Sequence, residues 1–232
     1  MKSKKGNFIV IEGIDGSGKA TQCNLLFKKL LQKKIKVKKI DFPKYYDNFF
    51  GRLIGECLAG KHGDFLKIDP YIVSVLYGAD RFESKKTIQN WLKKGYIVIS
   101  DRYVSSNQIH QGAKIQTPKE KQKLLKWIEK MEYSLFKVPK PDLTIFLDVS
   151  VEVSQNLLKN KSKAKKKYLK GKKDLAESNK KHLLDARKSA LTIIENSSDW
   201  KKINCVKNNK ILPKKIISNK IYNIIEKKLL NL

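Results

Sequence analysis

Four residues separate Gly13 from Gly18 in the run GIDGSGKAT, and Lys19 follows at once. That spacing, placed between an apolar run and an amphipathic one, is the pattern of a phosphate-binding loop. Backbone N–H groups of such a loop point at phosphate oxygens, and the dipole of the helix behind it favours their charge. The lysine adds a compact cation that reaches the β and γ oxygens of a nucleotide. The loop comprises Gly13, Ile14, Asp15, Gly16, Ser17, Gly18, Lys19, Ala20 and Thr21. Ala20 stands where a serine or threonine ordinarily offers its hydroxyl to Mg²⁺. Thr21 lies one residue on, turned by about 100° around a helix, so it does not simply substitute. The metal is then expected to rest on nucleotide oxygens, water and a separate carboxylate. Asp101 is that candidate: it closes the apolar run YIVIS, and Arg102 follows it. A carboxylate and an arginine at the carboxyl edge of a sheet, beside a phosphate loop, suit metal-assisted phosphoryl transfer. The plainer alternative is a strand-end ion pair.

The elements that must carry these residues alternate in type. FIVI (8–11), VKKIDF (37–42), YIVIS (96–100), LTIFLDV (143–149) and INCV (203–206) read as strands. Residues 18–34, 48–59, 70–94, 103–113, 118–136, 174–196 and 214–230 read as helices. Leu25, Leu26, Leu30 and Leu31 are expected inward on the first, and Pro70 suits a first helical turn. Strands alternating with helices predict a parallel sheet covered on both faces. Neither an internal repeat nor a Pro/Gly/Ser linker interrupts the 232 residues, so a single domain over 1–232 is expected.

Composition narrows the function classes. No apolar run approaches the roughly 20 residues that span a bilayer. The apolar stretch near the N-terminus is short and ends at Glu12, unlike a secretory signal. Three cysteines without a CxxC pair argue against a disulfide framework or a zinc site and fit a reducing cytoplasm. The net charge of +29 would ordinarily suggest nucleic acid as a partner. Here only Arg52, Arg81, Arg102 and Arg187 are arginines, and the other 47 basic residues are lysines. That skew reads as lysine spread over solvated helix faces, so a nucleic-acid partner is not expected. It also makes each arginine informative, since a planar bidentate group has been kept where lysine prevails. KNKSKAKKKYLKGKKD (159–174) carries nine lysines. It reads either as a solvated loop or as a basic lid closing over phosphates.

The motifs together resemble the thymidylate kinase family over nearly the whole chain. They are IEGIDGSGKATQ (11–22), FPKY (42–45), YGADRFE (77–83), DRYVSSNQIHQG (101–112), FLDV (146–149) and DLAES (174–178) after the basic stretch. The resemblance implies the P-loop NTPase fold: a three-layer α/β/α sandwich on a five-stranded parallel sheet, with a basic lid at about 159–173. It implies a homodimer and the reaction ATP + dTMP giving ADP + dTDP, with Mg²⁺. It gives Gly13 to Thr21 to ATP, makes Lys19 and Arg102 catalytic, and sets Arg102 between donor and acceptor phosphates. Asp15 faces the acceptor's sugar and phosphate. Phe42, Tyr77, Arg81, Asn107 and Gln108 fall on the acceptor side, with Tyr77 stacking on the base. Departures from the family pattern are Tyr45, where an arginine is common and Lys44 is the nearest cation, and His110, where an aromatic ring is common.

Other readings remain open. Tyr77 and Phe82 could be helix-core aromatics, and Arg81 could pair with Glu83. A kinase for another nucleoside monophosphate shares most of these motifs. A GTP-binding switch needs an NKxD segment, and NKSK at 160–163 lacks the aspartate. The loop assignment predicts that Lys19→Ala raises the barrier to phosphoryl transfer by about 3–4 kcal/mol and leaves the fold intact. Turnover within about a factor of two of the parent's, with an unchanged circular dichroism spectrum, would refute it.

Overall fold

The computed structural model describes residues 5–160 and 179–230. The five apolar runs form β1 (Phe8–Glu12), β2 (Val37–Asp41), β3 (Ile97–Asp101), β4 (Leu143–Asp148) and β5 (Trp200–Asn204). They make one parallel sheet in the order β2-β3-β1-β4-β5. Ile9 stands opposite both Ile99 and Leu143, which fixes the register of the three central strands. β1 and β4 are buried at every residue, because helices cover both faces; this is why they read as unbroken apolar runs. The edge strands β2 and β5 instead mix buried and exposed positions.

Nine α-helices flank the sheet among the described residues: α1 (Lys19–Gln32), α2 (Phe49–Leu58), α3 (Pro70–Glu83), α4 (Lys85–Lys93), α5 (Val104–Gly112), α6 (Pro118–Glu129), α7 (Val151–Asn160), α8 (Lys180–Glu195) and α9 (Lys214–Ile225). The period of two along each strand divides the core. Ile9, Ile11, Ile97, Ile99 and Ile145 pack with Leu26 and Leu30 of α1 and with Ile217 and Ile221 of α9. Phe8, Val10 and Val98 face the other way, onto α4 and α6 through Ile88, Leu92, Leu124 and Ile128. Phe146 packs there too, against Leu183, Ala186 and Ala190 of α8. The result is the three-layer α/β/α sandwich of the P-loop NTPase fold.

Several boundaries differ from expectation. The helix foreseen over 70–94 is two helices, broken at Ser84, whose Oγ accepts from Asn48 Nδ2 at 3.1 Å. α3 starts where expected: Asp69 caps it by accepting from Tyr71 N–H at 2.8 Å, and Pro70 occupies its first turn. The helix foreseen over 118–136 ends its α segment at Glu129 and continues as a π-helical stretch, Lys130–Leu135; α9 ends likewise in Glu226–Leu230. Leu31 is 49% exposed, because the buried stripe of α1 runs Cys23, Leu26 and Leu30 and leaves position 31 off it. The fifth strand begins at Trp200 rather than 203, and Val206–Lys207 pairs with Lys210–Ile211 in a short hairpin. α7 was not foreseen, because its few apolar positions run straight into the basic stretch. The proposed lid at about 159–173 lies outside the described residues from position 161, as does DLAES at 174–178.

Two loops shape the carboxyl edge of the sheet. β1 and β3 are neighbours, and the chain leaves their carboxyl ends toward opposite faces of the sheet, which opens a crevice there. Beyond β2, the Phe42–Pro43 peptide is cis. The next segment is clamped by α2 and α3: Asp80, fully buried, accepts from Lys44 N–H at 3.1 Å and Asn48 Nδ2 at 2.8 Å. Gly51 lets α2 lie directly on this segment, since a Cβ there would sit 2.1 Å from the Lys44 carbonyl oxygen. Neither the helix nor the carbonyl can yield without moving backbone. Gly51→Ala should therefore cost about 1–3 kcal/mol, read as a lower thermal midpoint. A stability equal to the parent's would show that the segment is not clamped.

Candidate active site

The loop after β1 delivers its backbone to the crevice. Gly13, Gly16 and Gly18 all have positive φ, at 155°, 79° and 91°. A Cβ on Gly16 would lie 2.6 Å from the Ser154 carbonyl of α7, so glycine is required there by both conformation and space. Lys19 is buried, and its Nζ donates to the carbonyls of Gly13 at 2.8 Å and Ile14 at 2.9 Å. Burial, and then the nearby Arg102, pull its pKa below the ordinary lysine value.

Glu12 ties this loop to the one after β3. Its carboxylate is fully buried and accepts from Gly13 N–H at 3.0 Å, Ser105 Oγ at 2.8 Å and Ser106 Oγ at 2.8 Å. Arg102 Nη1 stands 3.6 Å from it. Arg102 itself has φ of 67°, a left-handed conformation uncommon for a residue with a side chain. Its N–H donates to the Ile11 carbonyl at 3.1 Å, and its carbonyl accepts from Ser100 Oγ at 2.6 Å. That turn swings the guanidinium back over the β1 loop. There Nη2 donates to Asp15 at 2.5 Å and Nη1 to Ser106 Oγ at 3.0 Å. Nη1 also stands 3.0 Å from His110 Nε2. Burial disfavours the charge, but Asp15, Glu12 and Asp101 outweigh it and hold the guanidinium firmly protonated. Asp101 lies close by; burial raises its pKa, and Lys19 and Arg102 partly offset this. The strand-end pair considered for Asp101 and Arg102 is not formed: Arg102 pairs with Asp15 and Glu12.

The crevice opens into a cleft of about 390 Å³, within the range of small-molecule sites. It is lined by Asp15, Gly16, Lys19, Ala20, Asp101 and Arg102 from the loops after β1 and β3, and by Phe42, Tyr45, Tyr77, Arg81 and Asn107. Arg81 is 1% exposed at its floor. Its Nε and Nη2 both bond the carboxylate of Glu132, the former at 2.8 Å, so Nη1 is the nitrogen Glu132 does not engage. Asn107 Nδ2 donates to the Ser74 carbonyl at 3.1 Å and to Glu132 at 3.3 Å. Both partners are acceptors, so the amide cannot be flipped, and its Oδ1 is left buried with no hydrogen-bond partner. Gln111 Oε1 and the Tyr103 hydroxyl, also beside the cleft, are orphaned likewise. Buried polar atoms without partners are costly, and three around one cleft mark a place shaped for a polar guest. Lys114, at the mouth, donates to the Ile68 carbonyl at 2.9 Å, and burial pushes its pKa down to about 8.

The thymidylate kinase family model matches residues 11–210. The chain belongs to the thymidylate kinase family. It is 37% identical over 166 residues to a probable thymidylate kinase of Pyrobaculum aerophilum, covering 68% of this chain and 73% of that one. It is 35% identical over 147 residues to the thymidylate kinase of Mycobacterium tuberculosis, covering 63% and 67%. Among solved structures, the thymidylate kinase of Candida albicans aligns with a TM-score of 0.71 at 26% identity, over 96% of this chain and 92% of that one. A nucleoside monophosphate kinase is thus the enzyme class.

Within this chain, some expected site residues come together and others do not. Asp15, Gly16, Lys19, Ala20, Phe42, Tyr77, Arg81, Asp101, Arg102 and Asn107 all line the cleft. Gln108 does not; one residue on from Asn107 around α5, its amide donates to Glu129 of α6 at 3.1 Å, while Gln111 faces the cleft. Arg81 pairs with Glu132, not Glu83, and Phe82 is 48% exposed rather than core. Lys44 does not reach the cleft: its ammonium pairs with Asp47. Sequence reasoning missed Glu12, Asp80, Gln111, Lys114, Glu132 and His182. At the end of β4, Arg187 forks onto Asp148 at 2.7 and 3.1 Å.

His182, from α8, brings its Nε2 within 3.1 Å of His110 Nδ1, with the ring centres 5.2 Å apart and the planes 22° from parallel. Burial, then Arg102 and His182, hold His110 well below the usual imidazole range, and burial likewise lowers His182. Both are therefore neutral at pH 7. In the unfolded chain each takes up a proton near pH 6.5, and the folded state does not. Stability must then fall as pH drops through that value. Buried Asp80 and Asp101, whose pKa values are raised, act in the opposite sense, so a difference isolates the imidazoles. Between about pH 7.5 and about pH 5.5 the thermal midpoint should drop less in H110Q/H182Q than in the parent. Equal drops would mean the imidazoles are not buried neutral.

Proposed function

We propose that this chain transfers the γ-phosphate of ATP to dTMP, giving ADP and dTDP, as one kinase domain over residues 1–232. The observation that carries the acceptor assignment is the fixed amide of Asn107. Its orphaned Oδ1 is an acceptor, Arg81 Nη1 is a donor, and both residues line the cleft. The Watson–Crick edge of thymine presents an N3–H donor next to an O4 acceptor, the complement of that pair. Cytosine presents the reverse, an N3 acceptor beside an amino donor, and would leave both protein groups unmatched. Tyr77 lies in the same wall and supplies a flat ring for the base.

The phosphates fall against the loops after β1 and β3. Gly13 to Thr21 hold the ATP phosphates through backbone N–H groups, with Lys19 leaving the loop carbonyls to meet them. Arg102 lies between donor and acceptor phosphates, and Asp15 orients it. A metal fits this arrangement in one form. Among the described residues no group of three or more His, Cys, Asp and Glu side chains could hold an ion alone. Mg²⁺ binds through one or two carboxylates with substrate phosphates completing its shell, and Asp101 meets that need. When bound, Mg²⁺ supplies charge neutralisation of the phosphate oxygens.

The partners proposed are ATP, dTMP and a second copy of the chain. Phe49, Ile72, Val75, Phe82 and Leu135 leave an exposed apolar surface on α2, α3 and the stretch after α6, which supports a homodimer. No described helix is long and apolar enough to cross a membrane. A cytoplasmic enzyme without nucleic-acid partners is the reading consistent with the cysteines and the dispersed lysines.

A coupled ADP-release assay with dTMP, dUMP, UMP, dCMP and AMP tests the assignment; dTMP should be preferred and dCMP rejected. Preference for dCMP or AMP would overturn it. Arg102→Lys should lower kcat at least about tenfold while the acceptor KM moves little, since an ammonium cannot bridge two phosphates in the same plane. A rise in acceptor KM alone would make Arg102 a ground-state clamp.

A further inference from the structure

The hydrogen bond between Arg102 and His110 has only one chemical sense. A guanidinium has donors and no acceptor, and it does not deprotonate in proteins. Arg102 Nη1, 3.0 Å from His110 Nε2, must therefore donate to a bare ring nitrogen. A neutral His110 then carries its proton on Nδ1. That nitrogen lies 3.1 Å from His182 Nε2, so it donates to it, and His182 must keep its own proton on Nδ1. One order of protons thus runs from Arg102 through both imidazoles to α8. His182 sits in the capped first turn of that helix, where its backbone N–H donates to Asn179 Oδ1 at 3.0 Å. The rings are only 22° from parallel and their centres lie 5.2 Å apart, so they meet edge to edge, which is the arrangement an in-plane N–H···N bond requires.

We infer that His182 is a positioning residue for Arg102, acting through His110 by fixing its tautomer. The inference rests on the reading of Arg102 as the arginine between the two phosphates. If the acceptor at His182 is removed, nothing holds the His110 proton on Nδ1. Moved to Nε2, that proton would point at Arg102 Nη1, turning an attraction into a clash of donors. Arg102 would retain Asp15 and Ser106 but lose the contact that holds its third side. A misdirected bridging group lowers the rate of transfer more than it weakens binding of the acceptor.

Two substitutions separate this role from packing. H182F keeps an aromatic ring in place and removes the acceptor. H182Q removes the ring and keeps an acceptor in Oε1. Long-range ¹H–¹⁵N spectra of histidine-labelled protein report the tautomer of each ring without any substrate. The parent and H182Q should show His110 protonated on Nδ1, and H182F should show it moved toward Nε2. With ATP and dTMP, kcat of H182F should fall about tenfold while the acceptor KM changes less than about threefold, and H182Q should recover most of the rate. A parent spectrum with His110 protonated on Nε2 overturns the inference whatever the activity. So does full kcat in H182F, or an equal loss in H182F and H182Q, which would mark a packing role. If the parent protein shows the Nδ1 tautomer but does not phosphorylate dTMP, the substrate reading fails, and the loss of kcat in H182F on the true acceptor decides the inference.

Discussion

A carboxylate with no solvent exposure, Glu12, stands at the end of the central strand, and the catalytic cleft is assembled around the need to compensate it. An isolated buried charge of this kind is prohibitively costly. Here the compensation comes from the first N–H of the phosphate loop, from two serine hydroxyls at the start of α5 and from Arg102. Those groups belong to the two loops at the crevice between β1 and β3. Satisfying Glu12 therefore registers the donor loop against the segment that carries Arg102, Asn107 and His110. Removing one partner leaves the others facing an unbalanced charge, which makes the arrangement cooperative.

The acceptor end repeats the same logic at one remove. Glu132 is equally buried and is matched by Arg81 and Asn107 together. One acid thus orders the two side chains proposed to read the base, and it leaves donors on Arg81 and an acceptor on Asn107. Asp80, adjacent to Arg81, faces the opposite way and secures the segment after β2. Consecutive residues of α3 in this way join two walls of the cleft.

The sheet and its order of elements were legible in the sequence, because strands buried on both faces leave unbroken runs such as FIVI and TIFL. The phosphate loop was legible because glycine spacing is itself the structural requirement. Partnerships across the fold were not. Glu12 meets Ser105 across 93 positions, Arg81 meets Glu132 across 51, and His110 meets His182 across 72. An acid in a lysine-rich chain carries no mark of its distant partner. Helical phase was the other failure: Asn107 and Gln108 were both expected on the acceptor side, but the helix turns Asn107, His110 and Gln111 into the cleft and Gln108 away toward α6.

Three of the four arginines end in the same way, each against a carboxylate: Arg81 on Glu132, Arg102 on Asp15, Arg187 on Asp148. Arg52, the fourth, is exposed. In a chain whose composition has drifted almost wholly to lysine, these three are where drift stops. Arg81 and Arg187 fork onto both oxygens of their acids, and Arg102 spreads two nitrogens over Asp15, Ser106 and His110; a lysine could keep one of these contacts but not the planar set. Lys19 and Lys114 apart, the basic residues of the described chain form two populations. One is a dispersed lysine surface whose members can be exchanged or neutralised with little structural consequence, as solvent-exposed charges generally can. The other is a set of three guanidinium groups that cannot be traded for the same formal charge. A re-engineered chain of much lower net charge should thus be reachable by rewriting the surface alone.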